Sequence, residues 1–131
     1  MSEIVTFYPS PSLFGFGALE KLPELLKSRG FKRILIITDP QVSTSGILQR
    51  VHDLLKGSFD WELFDRAPSE PNSIDVDNQK ERFRSDFDVV LGVGGGSVMD
   101  FAKALSIIMT HGGLLGDYVG EGTVPGPVIP I

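Results

Sequence analysis

The sequence predicts a three-layer α/β domain, in which helices cover both faces of a mostly parallel β-sheet and the first strand lies at an edge. Short apolar runs alternate with amphipathic stretches along the chain, and a glycine-rich turn joins one apolar run to a long helical pattern. The 131 residues, 41% of them hydrophobic, suffice for one globular domain with an apolar core.

The first half of the chain alternates strand and helix patterns. Residues 4–8 form an apolar run closed by Pro9, which predicts the edge strand. Leucines at helical spacing predict a helix over residues 18–28, and a strongly apolar run predicts a strand over Arg33–Thr38. Apolar residues at helical spacing then predict a single helix over residues 42–56.

The second half continues the alternation. Phe59, Trp61 and Leu63 alternate with acidic residues and predict a strand with one solvated face. A loop, a polar helix, a buried strand, a helix, a glycine-rich loop and the start of a further strand are expected next, at residues 67–73, 74–85, 88–91, 98–109, 112–127 and 128–131.

Composition excludes several classes of protein. The net charge of −5 is spread along the chain, so neither nucleic acid nor a membrane surface is an expected partner. The absence of cysteine excludes disulfides, zinc fingers and thiol chemistry. The N-terminus lacks the pattern of an export signal and no run approaches membrane-spanning length, so we expect a cytoplasmic protein.

The glycine turn at residues 94–96 is the strongest functional signal. Gly94, Gly95 and Gly96 lack a Cβ, so a diphosphate can approach their backbone, and the following helix directs its free N–H groups toward it. The alternative is purely structural, because glycine is common in tight turns and Ser97 followed by Asp100 is a capping-box pattern.

The turn does not match the two best-known phosphate motifs. The third glycine of G-x-G-x-x-G is replaced by Ser97, and no Gly-Lys-Ser/Thr follows as a P-loop requires. A conventional dinucleotide fold places its ribose-binding acid about 20 residues after the glycines. The best candidate here, Asp39, precedes them.

Asp39 follows an apolar strand, at the edge of the sheet where open α/β folds bind ligands. Its carboxylate could accept hydrogen bonds from both hydroxyls of an adenosine ribose, and it would repel a 2′-phosphate. An ordinary helix cap before Pro40 is an equally good interpretation. A phosphoacceptor role lacks the acidic pair and the lysine that it requires.

Five separated segments resemble the iron-containing, or group III, alcohol dehydrogenases. The most specific is Gly94-Gly95-Gly96-Ser97-x-x-Asp100-x-x-Lys103, which is similar to the GGGSxxDxxK signature of that family. The others are Phe14-Gly15-Phe16-Gly17-Ala18-Leu19, Thr38-Asp39-Pro40, Ser69-Glu70-Pro71, and Asp117-Tyr118-Val119-Gly120 with residues 125–130.

This resemblance implies a Rossmann-like dinucleotide-binding domain over residues 1–131, the N-terminal part of a larger enzyme. In the family, hydride passes between NAD(P) and a small alcohol or aldehyde, and a helical C-terminal domain holds Fe²⁺ or another divalent metal through one Asp and three His. This chain has two histidines, His52 and His111, and neither is an expected ligand. The chain alone is therefore expected to be inactive.

The resemblance also implies a role for each matching residue. Gly94, Gly95, Gly96 and Ser97 would bind the pyrophosphate, Asp39 the adenosine ribose, Glu70 the adenine side, and Asp100 would lie toward the nicotinamide. Asp39 favours NAD over NADP. Lys103 is expected to be structural, pairing with Asp100 one helical turn away.

Two alternatives stay open. Glycerol dehydrogenases and dehydroquinate synthases share the implied fold, and maleylacetate reductases resemble the same region. A nucleotide-binding module without catalysis is the alternative from a different class. A homodimer formed through the first strand is also possible.

Overall fold

A computed structural model describes residues 10–83 and 86–131. The predicted edge strand at residues 4–8 lies outside these ranges. Within them, three parallel strands form a sheet in the order β2-β1-β3, so that the first strand is central. The strands are β1 Arg33–Thr38, β2 Asp60–Phe64 and β3 Val89–Val93.

Helices connect the strands and cover both faces of the sheet, as the sequence predicts. A 3-10 turn at Ala18–Lys21 leads into the first helix, and a second 3-10 turn at Leu115–Tyr118 follows the last. The helices are α1 Leu22–Ser28, α2 Pro40–Ser43, α3 Gly46–Leu55, α4 Ser73–Asp77 and α5 Gly96–His111. Within the described ranges, no helix is both long and apolar enough to cross a membrane.

The central strand β1 is buried on both faces, which explains its almost uninterrupted apolar sequence. Successive side chains of a strand point to opposite faces, so β1 contributes to two separate apolar clusters. The first cluster packs α1 and α3 against Ile34 and Ile36. The second packs α4 and α5 against Leu35 and Ile37. The result is the expected three-layer architecture.

The predicted helix over residues 42–56 is wrong in one respect, because two helices occupy this region. The chain is extended at Ser45, whose N–H donates to the carbonyl of Val42 at 2.9 Å. The Ser45 hydroxyl then accepts a hydrogen bond from the N–H of Ile47 and caps α3. Serine competes for backbone groups in this way, which ends one helix and starts the next.

The predicted polar helix over residues 74–85 is also too long. Helix α4 covers Ser73–Asp77, and its start is fixed by a reciprocal capping box between Asn72 and Asp75. Beyond Asp77 the chain continues in turns as far as the fully buried Phe83.

The strand expected at residues 128–131 is absent, although the segment does lie beside β3. One backbone bond joins it to the sheet, from the N–H of Val90 to the carbonyl of Pro130 at 2.8 Å. The polar groups of Ile129 instead bind α5: its N–H donates to the Thr110 hydroxyl at 2.9 Å, and its carbonyl accepts from the Ser106 hydroxyl. Side chains of α5 therefore anchor this segment, and a single backbone bond links it to β3.

Asp88 stabilises the edge of the sheet at which the strands begin. Its carboxylate accepts hydrogen bonds from the N–H groups of Arg33, at 2.9 Å, and Lys32, at 2.8 Å. These two bonds, that from Arg33 being the stronger influence, hold the pKa of Asp88 below its ordinary value. The ionised carboxylate therefore stabilises the fold.

We expect Asp88→Asn to lower the free energy of unfolding at neutral pH by less than about 1 kcal/mol, because the carboxylate is exposed. A lowered pKa gives stability that is present above the unfolded-state pKa and is lost as the pH falls through the folded-state value. The difference in the free energy of unfolding between the original chain and Asp88→Asn should accordingly shrink below about pH 4. Urea unfolding between pH 2.5 and 7 measures it. Asp65→Asn changes the net charge equally and is the control for the effect of charge alone.

Candidate nucleotide site

The candidate site lies between the carboxyl ends of β1 and β3. Thr38 and Val93 are register partners and end these strands, so Asp39 and Gly94 begin two neighbouring connections. The connection after β1 leads to β2 on one side, whereas that after β2 crosses to β3 on the other side. The chain thus reverses its direction of winding at this point, which is where open α/β sheets form a ligand crevice.

Gly94 is required by the fold itself. Its φ of +158° lies at the limit of the region that favours glycine, and a Cβ at this position would lie 2.6 Å from Cγ2 of Val98. This glycine brings the backbone close to the first turn of α5.

Gly95 and Gly96 have no such structural requirement. Gly95 has an ordinary extended conformation, with φ −89° and ψ −163°, and Gly96 is the first residue of α5. A Cβ added to either would point into open space. The missing side chains therefore leave room directly in front of the helix, where a ligand could approach the backbone.

The N-terminus of α5 has free hydrogen-bonding capacity. Its cap residue is Gly95, and no described side chain caps it. The first backbone bond of the helix runs from the N–H of Met99 to the carbonyl of Gly95 at 3.1 Å. The earlier N–H groups and the positive end of the helix dipole face outward, which is an arrangement that binds phosphate groups.

Ser97 does not form the capping box that its spacing to Asp100 suggests. It is the second residue of α5, and its hydroxyl donates to the carbonyl of Ser69. This bond holds the β2–α4 loop, residues 65–72, against the start of the helix. The exposed Glu70 is the next residue of this loop after Ser69.

Asp39 is the cap of helix α2, as one of its two interpretations requires. Its Oδ1 accepts a hydrogen bond from the N–H of Val42 at 2.7 Å. The side chain is half-buried, and its Oδ2 accepts no hydrogen bond from any residue in ranges 10–83 and 86–131. One oxygen therefore orients the carboxylate, and the other has no hydrogen-bond partner among the described residues.

Asp100 and Lys103 differ from the expectation. Because α5 begins at Gly96, Asp100 lies one residue beyond the first turn, outside the position that a capping box with Ser97 would require. Both side chains are exposed, and none of the ion pairs among the described residues joins them. Asp100 points away from the core and leaves its carboxylate to solvent.

The two histidines lie on helices that cover opposite faces of the sheet. His52 is half-buried, and its ring stacks on Trp61 with centroids 4.2 Å apart. His111 ends α5, with Nε2 3.3 Å from the carbonyl of Gly126. In the described part of the chain, no three histidine, cysteine, aspartate or glutamate side chains come together in a way that could hold a metal ion.

Thr38 is a site-forming residue that the sequence reasoning used only as part of a motif. It is fully buried, and its hydroxyl donates to the carbonyl of Val93 at 2.6 Å. Its own carbonyl accepts from the N–H of Ala67 at 3.0 Å. A threonine directly after the apolar run at residues 34–37 was the available signal.

The domain has three layers, with helices on both faces of a parallel sheet, and an uncapped helix N-terminus lies where the direction of winding reverses. These features define a Rossmann-like α/β domain. The sequence model of one family, described as iron-containing alcohol dehydrogenase, matches residues 9–131. The chain belongs to the iron-containing alcohol dehydrogenase family.

Individual relatives support this assignment. Alcohol dehydrogenase 4 of Saccharomyces cerevisiae is 34% identical over 134 residues, covering 100% of this chain and 35% of the relative. The NAD-dependent methanol dehydrogenase of Bacillus methanolicus is 32% identical over 127 residues, covering 95% and 33%. The chain thus spans about a third of the length of these relatives.

A solved structure agrees with the fold. The NADH-dependent butanol dehydrogenase A of Thermotoga maritima superposes with a TM-score of 0.84 at 26% identity, covering 99% of this chain and 34% of that chain. The Rossmann-like architecture and the family predicted from the sequence are both confirmed.

Proposed function

We propose that residues 1–131 form the dinucleotide-binding domain of an NAD-dependent alcohol dehydrogenase, with the pyrophosphate at the N-terminus of α5. One observation carries this proposal: Gly95 and Gly96 leave open space in front of an uncapped helix, although neither the backbone conformation nor the packing requires glycine there. In the full enzyme, the cofactor would exchange hydride with a small alcohol or aldehyde.

The donors and acceptors of the site fit such a cofactor. The backbone N–H groups of Gly96 and Ser97 would meet the diphosphate oxygens, without the need for a cationic side chain. The free oxygen of Asp39 would accept from the adenosine ribose. Glu70 would lie on the adenine side, and Asp100 would lie toward the nicotinamide.

The same carboxylate supports NAD as the cofactor. A 2′-phosphate near Asp39 would place two negative charges together, so NADP would bind less well. Two relatives fit this preference, since one is named as an NAD-dependent and the other as an NADH-dependent dehydrogenase.

A titration of the ¹⁵N-labelled chain with ADP tests the site directly. ADP carries the diphosphate and the adenosine ribose but no nicotinamide. We expect saturable shifts of the amide signals of Gly95, Gly96 and Ser97 in NMR spectra, with a dissociation constant of about 0.1–1 mM for this partial ligand. Saturable shifts confined to residues outside the glycine turn and Asp39 would contradict the proposed function.

Asp39→Gly should lower the ratio of NAD to NADP affinity by about tenfold, because it removes a ribose acceptor and a negative charge. Calorimetric titration with each cofactor measures this ratio. Asp39→Asn is the matched variant: it retains an acceptor for the N–H of Val42 but removes the charge. An unchanged ratio in Asp39→Gly would show that the ribose role is wrong.

We also propose that the 131 residues alone do not turn over alcohols. The chain has two histidines, and the structure places one against Trp61 and the other near Gly126, so a His-rich metal site would require further residues. The expected result is no formation of NADH from ethanol or 1,3-propanediol in the presence of Fe²⁺. Steady turnover that scales with the concentration of the chain would refute this.

A further inference from the structure

Three hydrogen bonds form a closed ring around the candidate site. The Thr38 hydroxyl joins β1 to the carbonyl of Val93, just before the glycine turn. The Thr38 carbonyl accepts from the N–H of Ala67 and so joins β1 to the β2–α4 loop. The Ser97 hydroxyl closes the ring by donating to Ser69 in the same loop.

Thr38 is the residue that belongs to two sides of this ring. It and Val93 are the last register partners of β1 and β3, and beyond them the chains separate into Asp39 and Gly94. A backbone ladder cannot continue past this point, because Asp39 already turns into α2. The Thr38 hydroxyl therefore supplies the last bond between the two segments that would bind the ribose and the diphosphate.

Because the bond between the Thr38 hydroxyl and the Val93 carbonyl is buried, its loss would be costly. Thr38 has no exposed surface, and its hydroxyl lies 2.6 Å from its acceptor, at the short end of the range for such bonds. Without the hydroxyl, the carbonyl of Val93 would lose a partner that buried water could not easily replace. The two strand ends would then be held together by the backbone ladder of β1 and β3 without this additional bond.

We propose that Thr38 is a positioning residue, whose hydroxyl fixes the separation between Asp39 and the glycine turn. This inference rests on the proposed function and adds a determinant that itself touches no ligand. It requires that Thr38 matter most for ligands that contact both segments at once. The affinity of ligands that contact the glycine turn alone should hardly depend on Thr38.

The test compares ADP with inorganic pyrophosphate as probes, both titrated by NMR into the full 131-residue chain. ADP spans the ribose and diphosphate positions, whereas pyrophosphate engages only the helix N-terminus. Thr38→Val removes the hydroxyl at nearly constant volume. We expect it to weaken ADP binding about tenfold and pyrophosphate binding less than about twofold. Thr38→Ser, which keeps the hydroxyl, should restore ADP affinity to within about twofold of the original chain.

Ser106→Ala is the matched control for stability. Ser106 is also a fully buried hydroxyl that donates to a backbone carbonyl, but its acceptor is Ile129, away from the site. It should lower the free energy of unfolding as Thr38→Val does and leave both affinities unchanged. Thr38→Cys, with a weaker donor of similar size, replaces Thr38→Val if that variant does not fold.

Each outcome has one meaning. Selective loss of ADP affinity in Thr38→Val, with rescue by Thr38→Ser, supports the positioning role. An unchanged ADP affinity, or an equal loss for ADP and pyrophosphate, overturns it and leaves the proposed function standing. Failure of ADP to perturb the glycine turn in the unsubstituted chain overturns the proposed function, and with it this inference.

Discussion

Gly94→Ala is expected to lower the free energy of unfolding by about 2–4 kcal/mol, which is a large part of the stability of a small domain. Two costs add. A φ of +158° is unfavourable for alanine, and the new Cβ would lie 2.6 Å from Cγ2 and 3.0 Å from Cβ of Val98. Val98 is fully buried in the α5 layer, so it cannot move aside easily. Urea unfolding followed by circular dichroism measures the loss.

Gly96→Ala provides the comparison within the same turn. Gly96 has a helical conformation and open space around it, so alanine should be neutral or should stabilise the chain by up to about 1 kcal/mol. Equal stabilities of the two variants would contradict the assignment of the structural role to Gly94.

Gly95→Val is expected to weaken ADP and NAD binding by about 30-fold or more, or roughly 2 kcal/mol, while the free energy of unfolding changes by less than about 1 kcal/mol. The backbone at Gly95 is ordinary and its Cβ position is empty, so the fold tolerates a side chain. That side chain would occupy the place proposed for the diphosphate.

A control for this effect lies at the other end of α5. Gly116 also has open space at its Cβ position, but it follows the C-terminus of α5, at the opposite edge of the sheet. Gly116→Val should leave ADP affinity unchanged. If Gly95→Val binds ADP as well as the unsubstituted chain does, the diphosphate does not lie where we place it.

Local patterns in the sequence predicted the parts of the fold that depend on local physics. In the strands β1 and β3 and in the helix after the glycine turn, the apolar residues recur where the side chains are buried. These three elements appear at the expected positions. The order of acid and glycine turn also identified the family correctly, because five separated segments agreed with it.

The errors came from bonds between distant residues and from polar side chains near helix ends. No periodicity could show that Ser106 and Thr110 take the backbone groups of Ile129, so a strand was expected there. In the same way, the Ser97 hydroxyl donates to Ser69, 28 positions away, instead of capping its own helix. Spacing alone cannot decide between partners that only the tertiary fold brings together.

The division of the core by β1 has a practical consequence for engineering this domain. The cluster beneath α1 and α3 contains none of the residues proposed to bind the cofactor, and the sheet separates it from the cluster beneath α5. Substitutions in the two clusters should therefore combine additively, since they share few contacts. The α1 and α3 side could therefore be repacked for higher thermal tolerance without replacing any residue proposed to bind the cofactor.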